Sequence, residues 1–106
     1  MNAYNNLVFS FTELPVKFVR ELEEEMSVLK GQPMYLTCEL NKDREVTWKR
    51  NGKPFYSIPG KINVAVIGLS RAVTIQNSGE ADTGIYTCEC EDVKTETNIK
   101  VIGKDL

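Results

Sequence analysis

The chain contains no histidine. That absence removes the general base of Ser-His and Cys-His catalysis and the commonest zinc ligand in proteins. A phosphate-binding loop is also missing, because the apolar stretch VIGLS lacks both the glycine spacing and the lysine of that motif. We therefore expect this domain not to be an enzyme and to use no cofactor and no metal, although a longer parent polypeptide has room for a kinase domain elsewhere.

An excess of one charge and a long apolar run are missing as well. The 13 basic and 15 acidic residues give a net charge of −2, so we expect no surface for nucleic acid or an anionic membrane. No apolar run approaches the roughly 20 residues that span a bilayer. The opening MNAYNNLVFSFTELP lacks the basic start and the small-residue cleavage site of a signal peptide. These features predict a soluble domain.

Cysteine is scarce, and its count is odd. With three cysteines, one thiol stays free unless it pairs between molecules, which favours a reducing compartment. Cys88 and Cys90 cannot form a disulfide with each other. On one strand their Cβ atoms stand about 6.6 Å apart, whereas a disulfide needs Cβ atoms about 3.8 Å apart. Zinc needs four ligands, and besides Cys38 and these two only a carboxylate is available. We interpret Cys90 as a buried thiol without a chemical role.

What the sequence does contain, from Leu14 onward, is a series of short alternating apolar runs separated by turn residues, the pattern of an all-β sandwich. Asn51-Gly52 is the strongest hairpin signal, and NSGEAD is predicted to form a single helical turn. We predict a tail or linker at 1–12, one domain at 13–103 and a linker stub at 104–106. The predicted strands are Val16–Arg20, Met26–Leu29, Met34–Leu40, Val46–Arg50, Lys53–Phe55, Ile62–Ile67, Arg71–Ile75, Ile85–Glu91 and Thr95–Ile102, with EDVK as the last turn.

One constellation identifies the fold class. Cys38, Trp48 and Cys88 occur in that order, and the sequence DTGIYTC places Tyr86 in the tyrosine-corner position before the last of them. This combination is typical of an immunoglobulin-like β-sandwich, all-β, with two antiparallel sheets. The predicted structural core consists of Leu36, Cys38, Trp48, Val73, Ile75, Tyr86 and Cys88.

At these residues the chain resembles a family. The stretches LPVKFVRELEEEMSVLKGQPMYLTCELNKDREVTWKRNGKP, PGKINVAVIGLSRAVTI and ADTGIYTC are similar to intermediate-set (I-set) immunoglobulin domains of giant muscle proteins, in particular the titin type of the I-band spring and the related obscurin type. The resemblance covers residues 14–102. It implies a structural and mechanical module in the cytoplasm of the sarcomere, in the I-band, which contributes elasticity within a tandem array.

The resemblance also implies site residues and partners. Cys38 and Cys88 would form a disulfide across the sandwich if oxidised, and Lys61 and Asp82 would form a structural ion pair. The implied partners are the neighbouring immunoglobulin domains of the same chain. A muscle ankyrin-repeat protein or a muscle calpain would dock on the apolar residues of the tail. Two alternatives stay open, namely a docking module in the same filament and an extracellular adhesion or receptor domain.

Overall fold

The computed structural model describes residues 14–103. The predicted tail at 1–12 and the stub at 104–106 lie outside the described residues. Nine strands and one 3-10 turn, Glu80–Asp82, make up the described part. The strands are β1 (Phe18–Arg20), β2 (Glu25–Leu29), β3 (Met34–Leu40), β4 (Thr47–Arg50), β5 (Lys53–Pro54), β6 (Ile62–Ile67), β7 (Ser70–Ile75), β8 (Gly84–Cys90) and β9 (Val93–Ile102).

The strands form two sheets that pack face to face. One has five strands in the order β2-β9-β8-β4-β5, and the other has four in the order β1-β3-β7-β6. The all-β sandwich predicted from the sequence is confirmed. Neighbouring strands run antiparallel except at one place, where β2 pairs with β9 in parallel from Glu25 opposite Asn98 to Leu29 opposite Ile102. The five-stranded sheet is therefore mixed rather than purely antiparallel.

The hairpin predicted at Asn51-Gly52 is present between β4 and β5. Both residues have positive φ, 51° and 84°, as a type I′ turn requires. The Asn51 side chain also reaches the start of β8, where its Oδ1 accepts a hydrogen bond from the Ile85 N–H at 2.9 Å. A Cβ atom on Gly84 would lie 2.7 Å from that amide and would have to displace it, and the φ of 155° at this position also favours glycine.

The last predicted turn, EDVK, is wrong in its length. Only Glu91 and Asp92 turn the chain, and Val93 and Lys94 already belong to β9, paired with Cys90 and Glu89. Glu91 has φ of 55°, which lets two residues close the hairpin where the sequence suggested four. The first strand is also shorter than predicted, since it begins at Phe18, although Val16 is buried ahead of it.

The core lies between the sheets and follows the period-two alternation of the strands. On β3 the residues Met34, Leu36, Cys38 and Leu40 all point inward and are fully buried. All seven predicted core residues are at most 3% exposed. Leu40 and Cys90 form a small second cluster with Val16, which fixes the chain where it enters the sandwich.

Candidate functional site

The parallel pair of β2 and β9 is the element with the clearest mechanical geometry. Its hydrogen bonds are bracketed by two contacts, from the Asn98 N–H to the Glu24 carbonyl at 3.0 Å and from the Lys30 N–H to the Ile102 carbonyl at 2.7 Å. Because backbone groups alternate along a strand, the N–H groups of Met26 and Val28 also face β9. Those of the odd residues between them face away from the sheet.

Orientation decides how such a pair carries load. In a parallel pair, the chain entering β2 and the chain leaving β9 lie at opposite ends of the ladder. A force between these two points slides one strand along the other and loads all the interstrand bonds together. In an antiparallel hairpin such as β8–β9, a force applied at the open end instead loads the bonds one at a time.

The centre of the sandwich is formed by the two cysteines and the single tryptophan. Trp48 on β4 lies opposite Cys88 on β8, and Cys38 reaches the same layer from the other sheet. Both cysteines are fully buried, and all three cysteines of the chain are free thiols. The Cys38 thiol donates to the Arg71 carbonyl, with a sulfur–oxygen distance of 3.8 Å.

Two of the three buried thiols, those of Cys88 and Cys90, have raised pKa values, whereas the hydrogen bond with Cys88 lowers the pKa of Cys38. A hydrogen bond with Cys38, together with burial, raises the pKa of Cys88, and burial raises the pKa of Cys90. Because the thiolate is the reactive form of cysteine, both side chains stay protonated and unreactive at neutral pH. Residues 14–103 contain no group of three or more side chains arranged to hold a metal ion.

Tyr86 forms the tyrosine corner that its position in the motif predicted. Its hydroxyl donates to the Asp82 carbonyl at 2.6 Å, while its ring packs edge-on against Phe55 at a centroid distance of 5.8 Å. Burial raises the pKa of Tyr86. This contact ties the 3-10 turn to β8 at the end of the sandwich where β6 begins.

The Asp82 carboxylate lies at that same end and is 6% exposed. Lys61, named with it from the sequence, donates to Oδ2 at 2.8 Å, and the Gly79 N–H donates to the same oxygen at 2.9 Å. Arg50 is a further cation, 3.5 Å from Oδ1, which the sequence analysis did not include. The acid is therefore held by two side-chain cations and a backbone donor.

Arg71 is buried, with only 2% of its surface exposed. Its burial was not predicted from the sequence. Its guanidinium donates to three backbone carbonyls, those of Arg44, Gly68 and Ser70, at 2.8 to 3.3 Å, and to the Asp43 carboxylate at 2.8 Å. Alternation with Val73 and Ile75 was the available signal, because it places Arg71 on the inward face of β7. Arg71 ties the loop before β4 to the turn before β7.

A two-sheet sandwich with this strand order and this tyrosine corner is an immunoglobulin-like fold. The chain belongs to the immunoglobulin domain family, because the family model described as Immunoglobulin domain matches residues 15–91. No helix among the described residues is long and apolar enough to cross a membrane.

Sequence relatives come from muscle filament proteins. A titin homolog of Caenorhabditis elegans is 29% identical over 102 residues, which cover 93% of this chain and, in rounded figures, 0% of the homolog. The cardiac-type myosin-binding protein C of Ambystoma mexicanum is 36% identical over 85 residues, which cover 79% of this chain and 17% of that protein. The chain thus spans only a small part of the curated relatives that it matches.

Solved structures show the same fold. A tandem of titin domains I9 to I11 has a TM-score of 0.81 at 17% identity and covers 88% of this chain and 35% of the tandem. A structure described as IG27 protein domain has a TM-score of 0.78 at 21% identity and covers 85% of this chain and all of that one, 100%. The fold of a titin-type domain is therefore shared along nearly the whole described chain.

Proposed function

We propose that this domain is a load-bearing module of a muscle filament protein, arranged in tandem with other immunoglobulin domains in the I-band of the sarcomere. The parallel pairing of β2 with β9 is the observation that carries the proposal. The relatives from titin-like proteins and myosin-binding protein C support the muscle context.

We call the parallel pair of β2 and β9 the clamp. It holds more strongly than the pairing of β1 with β3, which precedes it in the chain. β1 has only three residues, and its pairing with β3 shifts register between Phe18 and Arg20. Under load, β1 is expected to detach first, after which the five paired positions of the clamp resist together. Resistance then depends on the rate at which the clamp ruptures more than on the equilibrium free energy of unfolding.

Rupture of the clamp lets the domain unfold and lengthens the chain considerably. About 90 residues extend to roughly 300 Å when pulled straight. A series of such domains therefore stays short under ordinary load and lengthens in large single steps when one domain opens. This behaviour suits an elastic filament that must survive occasional overload.

Single-molecule pulling on a tandem array containing this domain tests the proposal. Val28→Pro removes an N–H that faces β9 and should lower the unfolding force markedly. Ser27→Pro is the matched control, because its N–H faces away from the sheet and its side chain is exposed. Equal unfolding forces for Val28→Pro and the unmodified domain would refute the clamp, as would an equal loss in both variants.

Partner binding is a second candidate function. One solved structure with the same fold, at 16% identity and a TM-score of 0.78 over 88% of this chain and 98% of that one, is a complex of titin with an obscurin-like 1 immunoglobulin domain. We propose neighbouring immunoglobulin domains as the first partners. A muscle ankyrin-repeat protein or a muscle calpain stays a prediction. Binding that survives substitution of the tail apolar residues would exclude the tail as the docking site.

The extracellular alternative makes a different prediction about the thiols. Titration of protein from its natural source, after denaturation, should find three reactive thiols if the domain works in the reducing cytoplasm. A single reactive thiol would mean that Cys38 and Cys88 are bridged and would favour an extracellular adhesion or receptor domain.

A further inference from the structure

The hairpin turn between β4 and β5 contains a chemically reactive pair of residues. Asn51 is the only asparagine in the chain that is followed by glycine, and both residues of the pair are exposed. A backbone nitrogen that follows an asparagine can attack the side-chain amide of that asparagine. Glycine in the second position leaves the nitrogen unshielded, because it has no side chain. The turn therefore has the groups that deamidation requires.

This reaction has two steps and needs only water as a co-reactant. In the first step the Gly52 nitrogen forms a bond to Cγ of Asn51, the bond from Cγ to Nδ2 breaks, and ammonia leaves with the proton of the Gly52 N–H. In the second step water adds to either carbonyl of the resulting five-membered imide ring and opens it. The products are aspartate and isoaspartate, and in the latter the backbone runs through the former side chain.

The backbone conformation of the turn opposes the first step. Ring closure requires the Cβ of Asn51 and the nitrogen of Gly52 to lie on the same side of the Cα–C bond of Asn51. In a type I′ turn the first central residue has φ and ψ of about +60° and about +30°, which places these two atoms on nearly opposite sides of that bond. The φ of 51° at Asn51 agrees with this conformation. Attack therefore needs a large rotation about the Cα–C bond.

Both sides of that bond are held in place. On one side, the Asn51 N–H donates to the Ile85 carbonyl at 2.8 Å, and Oδ1 of Asn51 accepts from the Ile85 N–H at 2.9 Å. On the other side, the chain continues into β5, where Lys53 pairs with Arg50. Rotation about the bond would break one of these two sets of contacts. The folded hairpin thus protects a pair of residues that is exposed to water.

We propose that Asn51 is a modification site that the folded domain protects and that opening of the β4–β5 hairpin makes available to deamidation. An isoaspartate at this position lengthens the backbone of a two-residue turn by a methylene group, so the pairing of Arg50 with Lys53 is impaired when the domain refolds. A domain that has stayed open is thereby altered permanently. If the domain carries load as proposed above, the product accumulates in domains that load has held open.

Mass spectrometry of proteolytic peptides from the full 106-residue chain measures the conversion of Asn51. The chain is incubated at mildly alkaline pH, either folded in buffer or unfolded in urea. The folded chain should convert at least about 100-fold more slowly, because the hairpin must first open. Equal rates in buffer and urea would overturn the proposal. Urea replaces load in this comparison, so its outcome is independent of whether the domain bears force.

Two variants of one residue test whether the hairpin is the barrier. The residues that flank a two-residue turn exchange hydrogen bonds, and Lys53→Pro removes the N–H that Lys53 contributes. Conversion of Asn51 in the folded variant should rise by roughly tenfold, the equivalent of one lost hydrogen bond. Lys53→Ala is the matched control, since it keeps the N–H and should convert at the native rate.

Each rate is divided by the rate of the same variant in urea, which removes any effect of the substitution on the intrinsic reactivity of Asn51. Thermal unfolding midpoints confirm that both variants are folded at the temperature of incubation. Faster conversion in Lys53→Pro alone would support the proposal. Equal conversion in the two folded variants would overturn it, because the closed hairpin would then not be what protects Asn51.

Discussion

The sandwich buries one charged side chain at each end, and the two are held in different ways. Asp82, at the end where β6 begins, is surrounded by the side chains of Lys61 and Arg50, both about one third exposed. Arg71, at the end where β6 finishes, is surrounded mainly by backbone carbonyls, and its one carboxylate partner, Asp43, is 84% exposed.

This difference determines what a substitution leaves behind. If Asp82 is removed, the freed cations can turn to water, since each is already partly hydrated. If Arg71 is removed, the carbonyls of Arg44 and Ser70, which belong to half-buried residues, lose their guanidinium donor, whereas Gly68 is exposed to water. An unsatisfied buried polar group costs about 1 to 3 kcal/mol. Arg71 should therefore stabilise the fold more than Asp82, although Asp82 belongs to the recognisable motif.

The largest effect is expected for Arg71→Ala. We expect the free energy of unfolding to fall by about 2 to 5 kcal/mol, because the variant loses a long buried side chain together with its hydrogen bonds to the backbone carbonyls. Urea denaturation measures this loss. Arg71→Met restores most of the volume without the donors, so a similar loss in that variant would assign the effect to the hydrogen bonds. A loss smaller than that of Asp82→Ala would invert the comparison.

Asp82→Ala should have the second largest effect. We expect a loss of about 1.5 to 3 kcal/mol, because the Gly79 N–H and the two cations lose a charged acceptor. Lys61→Met serves as the control, and it should cost less than about 1 kcal/mol, since Arg50 remains and the lysine is partly exposed. If the two variants are equally unstable, Lys61 rather than the shared carboxylate dominates this end.

Tyr86→Phe removes only the hydroxyl that donates to the Asp82 carbonyl, so about 1 kcal/mol should be lost at neutral pH. The variant should also change the response to alkali. Burial raises the pKa of Tyr86 in the folded state. The stability that the neutral hydroxyl contributes is therefore fully present below the unfolded-state pKa of about 10, and it is lost as pH rises through the folded-state pKa.

Unfolding curves from pH 8 to 11 measure this response. The native protein should lose stability above about pH 10, and Tyr86→Phe should lose less over the same interval. Arg71 stays charged throughout, so the opposite end should not contribute to the difference. Parallel pH profiles for the native protein and the variant would contradict the assignment.

Asp43→Ala should have the smallest effect. The carboxylate is exposed, and exposed ion pairs contribute about 0 to 1 kcal/mol. The same urea measurement applies. A loss comparable to that of Arg71→Ala would mean that the carboxylate, rather than the carbonyls, holds the guanidinium.

Most of the fold could be predicted from local signals in the sequence. Trp48 and the two cysteines at their spacing indicated the sandwich, and Asn51-Gly52 indicated its hairpin, because few residues tolerate positive φ. Glu91 gave no such signal, since a glutamate with positive φ is selected by the strands on either side of it. The length of that last turn could therefore not be predicted.

The ion pair and the buried arginine show the same limit at the level of side chains. Lys61 and Asp82 were predicted through the family resemblance, whereas Arg50 joins them only through the β4–β5 hairpin and was not predicted. Arg71 was assigned to a strand, but its charge obscured its inward phase, because arginine is rarely buried without a visible partner. Its partners are backbone carbonyls, which no sequence pattern displays.

The contact between Asn51 and Gly84 has a consequence for how this sequence can change over time. The turn residue and the glycine of the tyrosine-corner motif are 33 positions apart in the chain, yet the space that one side chain fills is the space that the other residue leaves empty. Replacement of Gly84 by a larger residue would displace the Asn51 amide and break its bond to Ile85, and the φ of 155° would add backbone strain. Among descendants of this domain, an asparagine in the turn should therefore be inherited with its glycine.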